Sequence, residues 1–249
     1  MPKALILAAG MGTRLAPLTD NRPKCLVEVA GEPILYHQLS MLDRVGIEEC
    51  VIAIGYKGSM IVDRFGSRFR SIKLTYVDNP WYAETNNIYS LNLLSPFADD
   101  DCVLMEGDVL CEEGIIADLV ASKSGDVAVL DYVSGNPDGT VVVANYRCVT
   151  RMLLKEAQTK GMDYKHLLKT VNIYKFSKKT LITQFFPGLQ ARIDDGHTSI
   201  FYEAVLADLI ESQAIHVTPQ VVLGRQWIEV DNPQDLAIAQ QTFERHPVA

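Results

Sequence analysis

The chain is short of basic residues: its 249 residues carry 23 Lys and Arg against 31 Asp and Glu, a formal net charge of −8. A protein that coats nucleic acid needs clustered basic surface to displace counterions from phosphates, so no nucleic-acid partner is expected. Long apolar runs are also missing. None approaches the ~20 residues that cross a bilayer, and no membrane partner is expected. The first apolar run, residues 4–9, is too short and too soon followed by glycine to serve as a signal sequence. Cys25, Cys50, Cys102, Cys111 and Cys148 are odd in number, scattered, and never in a CxxC spacing. They suggest neither a disulfide framework nor a zinc site, and they fit a reduced, cytoplasmic setting. Internal repeats, low-complexity tracts and linkers are absent as well. What is present, 48% hydrophobic and 22% charged residues, is the composition of a globular protein with a sizeable core.

Apolar runs of strand length alternate with segments of helical period. Strands are expected at residues 4–8, 50–54, 72–77, 101–106 and 126–130. Between them, Gly31-Glu32-Pro33 introduces a helix with Ile34, Leu35, Leu39, Leu42 and Val45 on one side and Gly46 as its stop. Further helices are expected at residues 60–69, from Asn87, and at 114–122. This order predicts a single-domain, three-layer α/β/α fold with a mixed, mostly parallel sheet, spanning residues 1–249. After Asp131 the order loosens. Gly135-Asn136-Pro137-Asp138-Gly139 has the form of a hairpin turn before Val141-Val142-Val143, and residues 131–165 read as an antiparallel excursion. A strand at 170–176, helices at 181–189 and 201–211, a strand at 227–230 and a helix from Asn232 complete the expectation.

The most informative segment is Leu7-Ala8-Ala9-Gly10-Met11-Gly12-Thr13-Arg14, with Pro23-Lys24 downstream. A glycine-rich turn after the first parallel strand exposes backbone N–H groups that can cradle a polyphosphate. Small residues let the main chain approach it, and Arg14 and Lys24 can neutralise charge that moves between phosphates. Two other glycine motifs fail. Lys24 lies too far from Gly12 for a Walker A loop. Leu15 occupies the third glycine's place in GxGxxG, and the second strand runs into Gly55-Tyr56 rather than ending on an acid.

The pattern LxxGxGTR with a later PK resembles the signature of the sugar-phosphate-type nucleotidyltransferases, and other landmarks follow in order along essentially the whole chain. The resemblance implies a single Rossmann-like domain that joins a nucleoside triphosphate to a phosphorylated acceptor with release of pyrophosphate. Asp108 follows an apolar strand at the crevice where open α/β sheets bind ligands, and Asp231 ends another strand just before Asn232-Pro233. Asp231 could simply cap a helix and Asp108 could sit in a strand-end turn. The resemblance implies instead that the pair holds Mg²⁺, which needs only one or two protein carboxylates beside phosphate and water.

Where sugar-phosphate members show a Gly-Thr-Ala type of sequence, this chain has Thr85-Asn86-Asn87-Ile88-Tyr89-Ser90. That departure is more similar to the cytidylyltransferases that use phosphocholine or aminoethylphosphonate. It implies CTP as the nucleotide, with the backbone near Ala8 and Ala9 and the side chains of Asn79, Thr85 and Asn86 at the base. Asn86 could also cap the helix that begins at Asn87. Lys169, on a segment similar to the same group, is the choice for the acceptor's phosphate or phosphonate, with Lys175 competing and Asn172 completing a polar lining. An ammonium on the acceptor would be met by Tyr202 and Glu203.

The expected chemistry is in-line attack of an acceptor oxygen on the α-phosphorus of CTP. That oxygen is already anionic, so no general base is needed. The alternatives are a sugar-1-phosphate nucleotidyltransferase using UTP, GTP or dTTP, and a non-catalytic nucleotide-sensing subunit. The second would be marked by loss of Arg14, Lys24 or an aspartate, and all four are present. Assembly as a homodimer is left open.

Overall fold

A computed structural model describes residues 1–134 and 139–245. The chain opens with strand β1 (Lys3–Ala8), then the glycine loop, a short hairpin of β2 (Glu28–Val29) and β3 (Glu32–Pro33), and helix α1 (Ile34–Arg44). Next come β4 (Glu49–Ile54), α2 (Gly58–Phe65), β5 (Arg68–Phe69), β6 (Ile72–Asp78) and α3 (Asn87–Asn92). The middle of the chain forms β7 (Cys102–Glu106), β8 (Val109–Cys111), α4 (Glu113–Ala121), β9 (Val127–Tyr132), β10 (Val141–Ala144), β11 (Val149–Leu153) and β12 (Leu168–Phe176). The last part contributes α5 (Lys178–Thr180), a π-turn (Leu181–Phe185), α6 (Phe186–Asp194), α7 (Glu203–Glu211), β13 (Thr218–Val221), β14 (Trp227–Glu229) and α8 (Pro233–Arg245).

β1 is central, pairing in parallel with β4 on one side and β7 on the other. Its run Ala-Leu-Ile-Leu-Ala is apolar throughout because both faces of a parallel sheet are covered. Ala4 and Ile6 face one core cluster and Leu5 and Leu7 the other. The full order is β11-β10-β12-β7-β1-β4-β6-β5, with β9 between β12 and β13. The expected three-layer, mostly parallel architecture is what forms. β10 and β11 pair antiparallel, and a turn follows at Lys155–Ala157; of the expected hairpin turn at 135–139, residues 135–138 lie outside the described residues.

Four details depart from expectation. The helix expected at 60–69 ends at Phe65, because Gly66 (φ +62°) turns the chain and Arg68–Phe69 pairs with β6. The helix expected at 181–189 is a longer unit from Lys178 to Asp194 with a π-turn inside it. β13 has no legible strand pattern, since Thr-Pro-Gln-Val carries a proline that only an edge strand tolerates. The fourth matters most for function. β8 and β14 form a separate antiparallel pair, Glu229 opposite Val109, with the Val230 amide donating to the Asp108 carbonyl at 3.0 Å. All five cysteines are free.

The turn between β7 and β8 is held from below by α1. The buried Gln38 side chain donates to the carbonyls of Glu106 (2.7 Å) and Val109 (2.8 Å). Gln38→Leu would leave both without this partner, so it should lower the unfolding free energy by about 1–3 kcal/mol in urea denaturation. An unchanged midpoint would show that the turn holds itself.

Candidate active site

The loop after β1 is shaped by close approach. Gly12 has φ +63°, and a Cβ there would lie 2.8 Å from Lys24 Cβ. A Cβ on Gly107 would meet the Leu7 carbonyl oxygen at 2.8 Å. Glycine is therefore required at both places, at one for its conformation and at both for space. Above this floor opens a cavity of about 330 Å³.

Leu7, Ala8, Ala9, Gly10, Gly12 and Thr13 line its loop side, and Thr85 and Asn86 line the opposite wall. Met11 does not line it; its side chain is 38% exposed. Asn79 does not line it either, because it is buried behind the wall. Its amide donates to Thr85 Oγ1 (3.1 Å) and Ser90 Oγ (3.0 Å), and its carbonyl oxygen accepts from the Trp81 amide. Asn79 thus positions Thr85 instead of facing the cavity. Asn86 both lines the cavity and caps α3, its Oδ1 accepting from the Asn87 amide at 2.7 Å.

Arg14, Lys24, Asp108 and Asp231 meet at the cavity's mouth. Lys24 Nζ lies 2.5 Å from Asp108 Oδ2 and 2.6 Å from Asp231 Oδ1, and Arg14 reaches the same Asp231 oxygen at 2.7 Å. Burial opposes the Lys24 charge, but the two carboxylates outweigh it and hold the ammonium above the usual lysine range. Asp231 is not the cap of α8. Asn232 takes that place, its Oδ1 accepting from the Gln234 and Asp235 amides, while Asp235 accepts from the Asp231 amide.

Sequence reasoning missed Glu229 and Glu106. Oxygens of Asp108, Glu229 and Asp231 lie within 4.8 Å of one another. The signal was available in proximity: each missed glutamate ends a strand two residues before a chosen aspartate. Burial and the carboxylates of Asp108 and Asp231 push Glu229 up to about 7, with Lys169 opposing. Burial and the surrounding acids Asp108, Glu203 and Glu229 push Glu106 well above the carboxylate range.

A second cavity of about 300 Å³ adjoins the first, with Asn172 and Glu203 on its wall. Asn172 sits at φ +59° where the β12 register breaks, a conformation asparagine tolerates. Lys169 lies outside both cavities. It lines a shallower recess beside Asp231, 3.3 Å from Glu229 Oε2 and 5.1 Å above the Trp227 ring.

Two expectations are corrected. Tyr202 offers no face to an acceptor; it is fully buried, its ring edge-on to Tyr174 and Phe185. Its apolar ring is worth more in that core than at a wet wall. Lys175 points the other way, donating to the Ser122 carbonyl at 2.7 Å just past α4, where cations suit a helix end.

Glycine loop, paired cations and strand-end acids at the carboxyl edge of a parallel sheet define an α/β protein built to handle nucleotide phosphates. The chain belongs to the nucleotidyl transferase family, which it matches over residues 3–138. It is 31% identical over 234 residues to CMP-5′-(3-aminopropyl)phosphonate synthase of Streptomyces rubellomurinus, covering 94% of this chain and 37% of that protein. It is 31% identical over 160 residues to the UTP–glucose-1-phosphate uridylyltransferase of Haloferax volcanii, 61% of this chain and 65% of that one. The chain thus spans between about a third and two thirds of these curated relatives. In fold it is similar to the CTP:phosphocholine cytidylyltransferase of Streptococcus pneumoniae, with a TM-score of 0.78 at 23% identity over 97% of this chain and 98% of that one. No helix among the described residues is long and apolar enough to cross a membrane.

The raised Glu229 has a consequence for stability. Its carboxyl keeps its proton to about pH 7 in the folded state against 4.5 ordinarily. The folded state therefore gains from this group fully below the lower value, and that gain is lost as pH rises through the upper one. Glu229→Gln should flatten the loss of stability between about pH 5 and pH 8 in the metal-free protein. Parallel denaturation profiles for the two proteins would contradict the assignment.

Proposed function

We propose that the protein is a Mg²⁺-dependent cytidylyltransferase that joins CTP to a small acceptor carrying a phosphate or phosphonate and releases pyrophosphate. The observation that carries the reading is Lys24 held between Asp108 and Asp231 at the mouth of the glycine loop. Two cations and two carboxylates meet there beside the loop, a grouping that supports the binding of a polyphosphate.

The residues present fit a hard divalent cation. Asp108 Oδ1 is buried without a hydrogen-bond partner, and the donors within reach are all carboxylates, the ligand type magnesium prefers. Asp108 and Asp231 would hold the ion, which when bound supplies positive charge against the triphosphate.

The amides of residues 10–13 receive the phosphates. Arg14 and Lys24 neutralise the charge that collects on pyrophosphate as it departs. Thr85, set by Asn79, and Asn86 read the base. Lys169 and Asn172 orient the acceptor, whose anionic oxygen forms the new bond to the α-phosphorus while the bond to the β-phosphate bridging oxygen breaks. The Haloferax relative supports a second reading, a sugar-1-phosphate substrate with UTP.

Pyrophosphate release with Mg²⁺ should be measured for CTP, UTP, ATP and GTP against phosphocholine, 2-aminoethylphosphonate, phosphorylated glutamine and glucose 1-phosphate. Activity confined to CTP is expected, and Asp108→Ala should lower it at least about 10³-fold with the circular dichroism spectrum retained. Turnover of glucose 1-phosphate with UTP alone would replace this reading with the second, and full activity of the variant would remove Asp108 from the site.

A further inference from the structure

Tyr56 grips the glycine loop at both of its ends, although it does not line the first cavity and the transfer chemistry makes no use of it. β4 ends at Ile54, and Gly55 then lies directly against the loop: a Cβ there would meet the Ala9 carbonyl oxygen at 2.8 Å and Tyr82 Cβ at 2.7 Å. The missing side chain lets the following residue reach the loop's start, where the Tyr56 amide donates to the Ala9 carbonyl at 3.0 Å. The Tyr56 hydroxyl reaches the returning limb and shares its proton between the carbonyl oxygens of Thr19 (3.1 Å) and Asp20 (2.9 Å). Its ring packs against Tyr82 on the cavity wall, with centroids 6.1 Å apart.

Thr19 completes the clamp. Between Leu15 and Pro23 every other residue is exposed, whereas Thr19 is buried, and its hydroxyl donates to the Gly12 carbonyl at 2.9 Å. Residues 12–19 are thereby closed into a ring that carries Arg14, and Tyr56 fastens that ring to the end of β4. Lys24 follows from the same limb, its stem packed over Gly12. An exposed loop keeps a fixed place only through contacts of this kind. The place matters, because a displacement of about 1 Å in a group that stabilises moving charge can cost about 100-fold in rate.

We propose that Tyr56 is a positioning residue for the nucleotide: through Thr19 it fixes the limb that carries Arg14 and leads to Lys24, and so sets these two cations against the outer phosphates. The inference rests on the reading of this site as one for a nucleoside triphosphate.

The test is calorimetric binding of CTP and UTP, and of the monophosphates CMP and UMP, to the whole chain with Mg²⁺ and without acceptor. Tyr56→Phe removes the hydroxyl and keeps the ring and the amide. It should weaken binding of whichever triphosphate the wild-type protein takes by about tenfold, and leave the matching monophosphate, which lacks the two outer phosphates, within about twofold. Thr19→Val should weaken the triphosphate by a similar factor, and Thr19→Ser, which keeps the hydroxyl, should not. Tyr56→Phe combined with Thr19→Val should lose no more than about threefold beyond either alone, because one linkage cannot be broken twice. If Tyr56→Phe does not fold, the two Thr19 variants carry the same comparison. Triphosphate affinity unchanged in the variants, whatever happens to their melting temperature, or equal losses for triphosphate and monophosphate, would overturn the clamp and leave the nucleotide reading standing. Binding of neither triphosphate to the wild-type protein would overturn both.

Discussion

Negative charge crowded at one edge of a parallel sheet, and its neutralisation by Lys24 together with Arg14, is the constraint around which the rest of the molecule is arranged. Asp108 and Asp231 would repel each other at their separation were Lys24 not between them, 2.5 and 2.6 Å away. The lysine reaches that position because Gly12 has no side chain to obstruct its stem, and Gly12 can turn as it does because it is glycine. Loop conformation, cation placement and carboxylate pairing are therefore one requirement. In the proposed reaction the same arrangement would suit a polyphosphate, since groups already held near a charge need little reorganisation when charge develops there.

A hierarchy of supports places these groups. β1 supplies the rigid base, flanked by β4 and β7. The minor pair β8 and β14 then joins residues more than a hundred positions apart, and the Val230 amide bonded to the Asp108 carbonyl fixes the two aspartates in register. Gln38 pins the turn from the helix layer, and Asn79 braces Thr85 from behind the opposite wall. These supporting residues touch no substrate in the proposed reaction. They determine where the groups that do so can stand.

Much of this was legible in advance, because the strongest signals were local. The apolar run of β1, the glycines at 10 and 12, and Arg14 and Lys24 mark a glycine-rich loop flanked by two cations, and the alternation of strand and helix declares the sheet. What misled was the direction of side chains. Tyr202 and Asn79 are residue types that often face ligands, yet one fills the core and the other braces a wall, since burial depends on neighbours distant in sequence. Lys169 and Lys175 are alike on paper. Only the path of β12 turns Lys175 toward the end of α4 and leaves Lys169 beside Glu229.

The sequence by itself determined the class of fold, the glycine loop and the presence of two cations beside it, because each depends on residues close together in the chain. Tertiary structure decided which acids gather. Glu106, Asp108, Glu203, Glu229 and Asp231 come from three separate stretches of the chain, and no local pattern encodes their meeting. It also decided that Glu203 has an oxygen without a partner and that Phe201 lines both cavities. The physical reason is one of range. Backbone propensity and hydrophobic period act over a few residues, whereas electrostatic environment is a sum over everything the fold brings near.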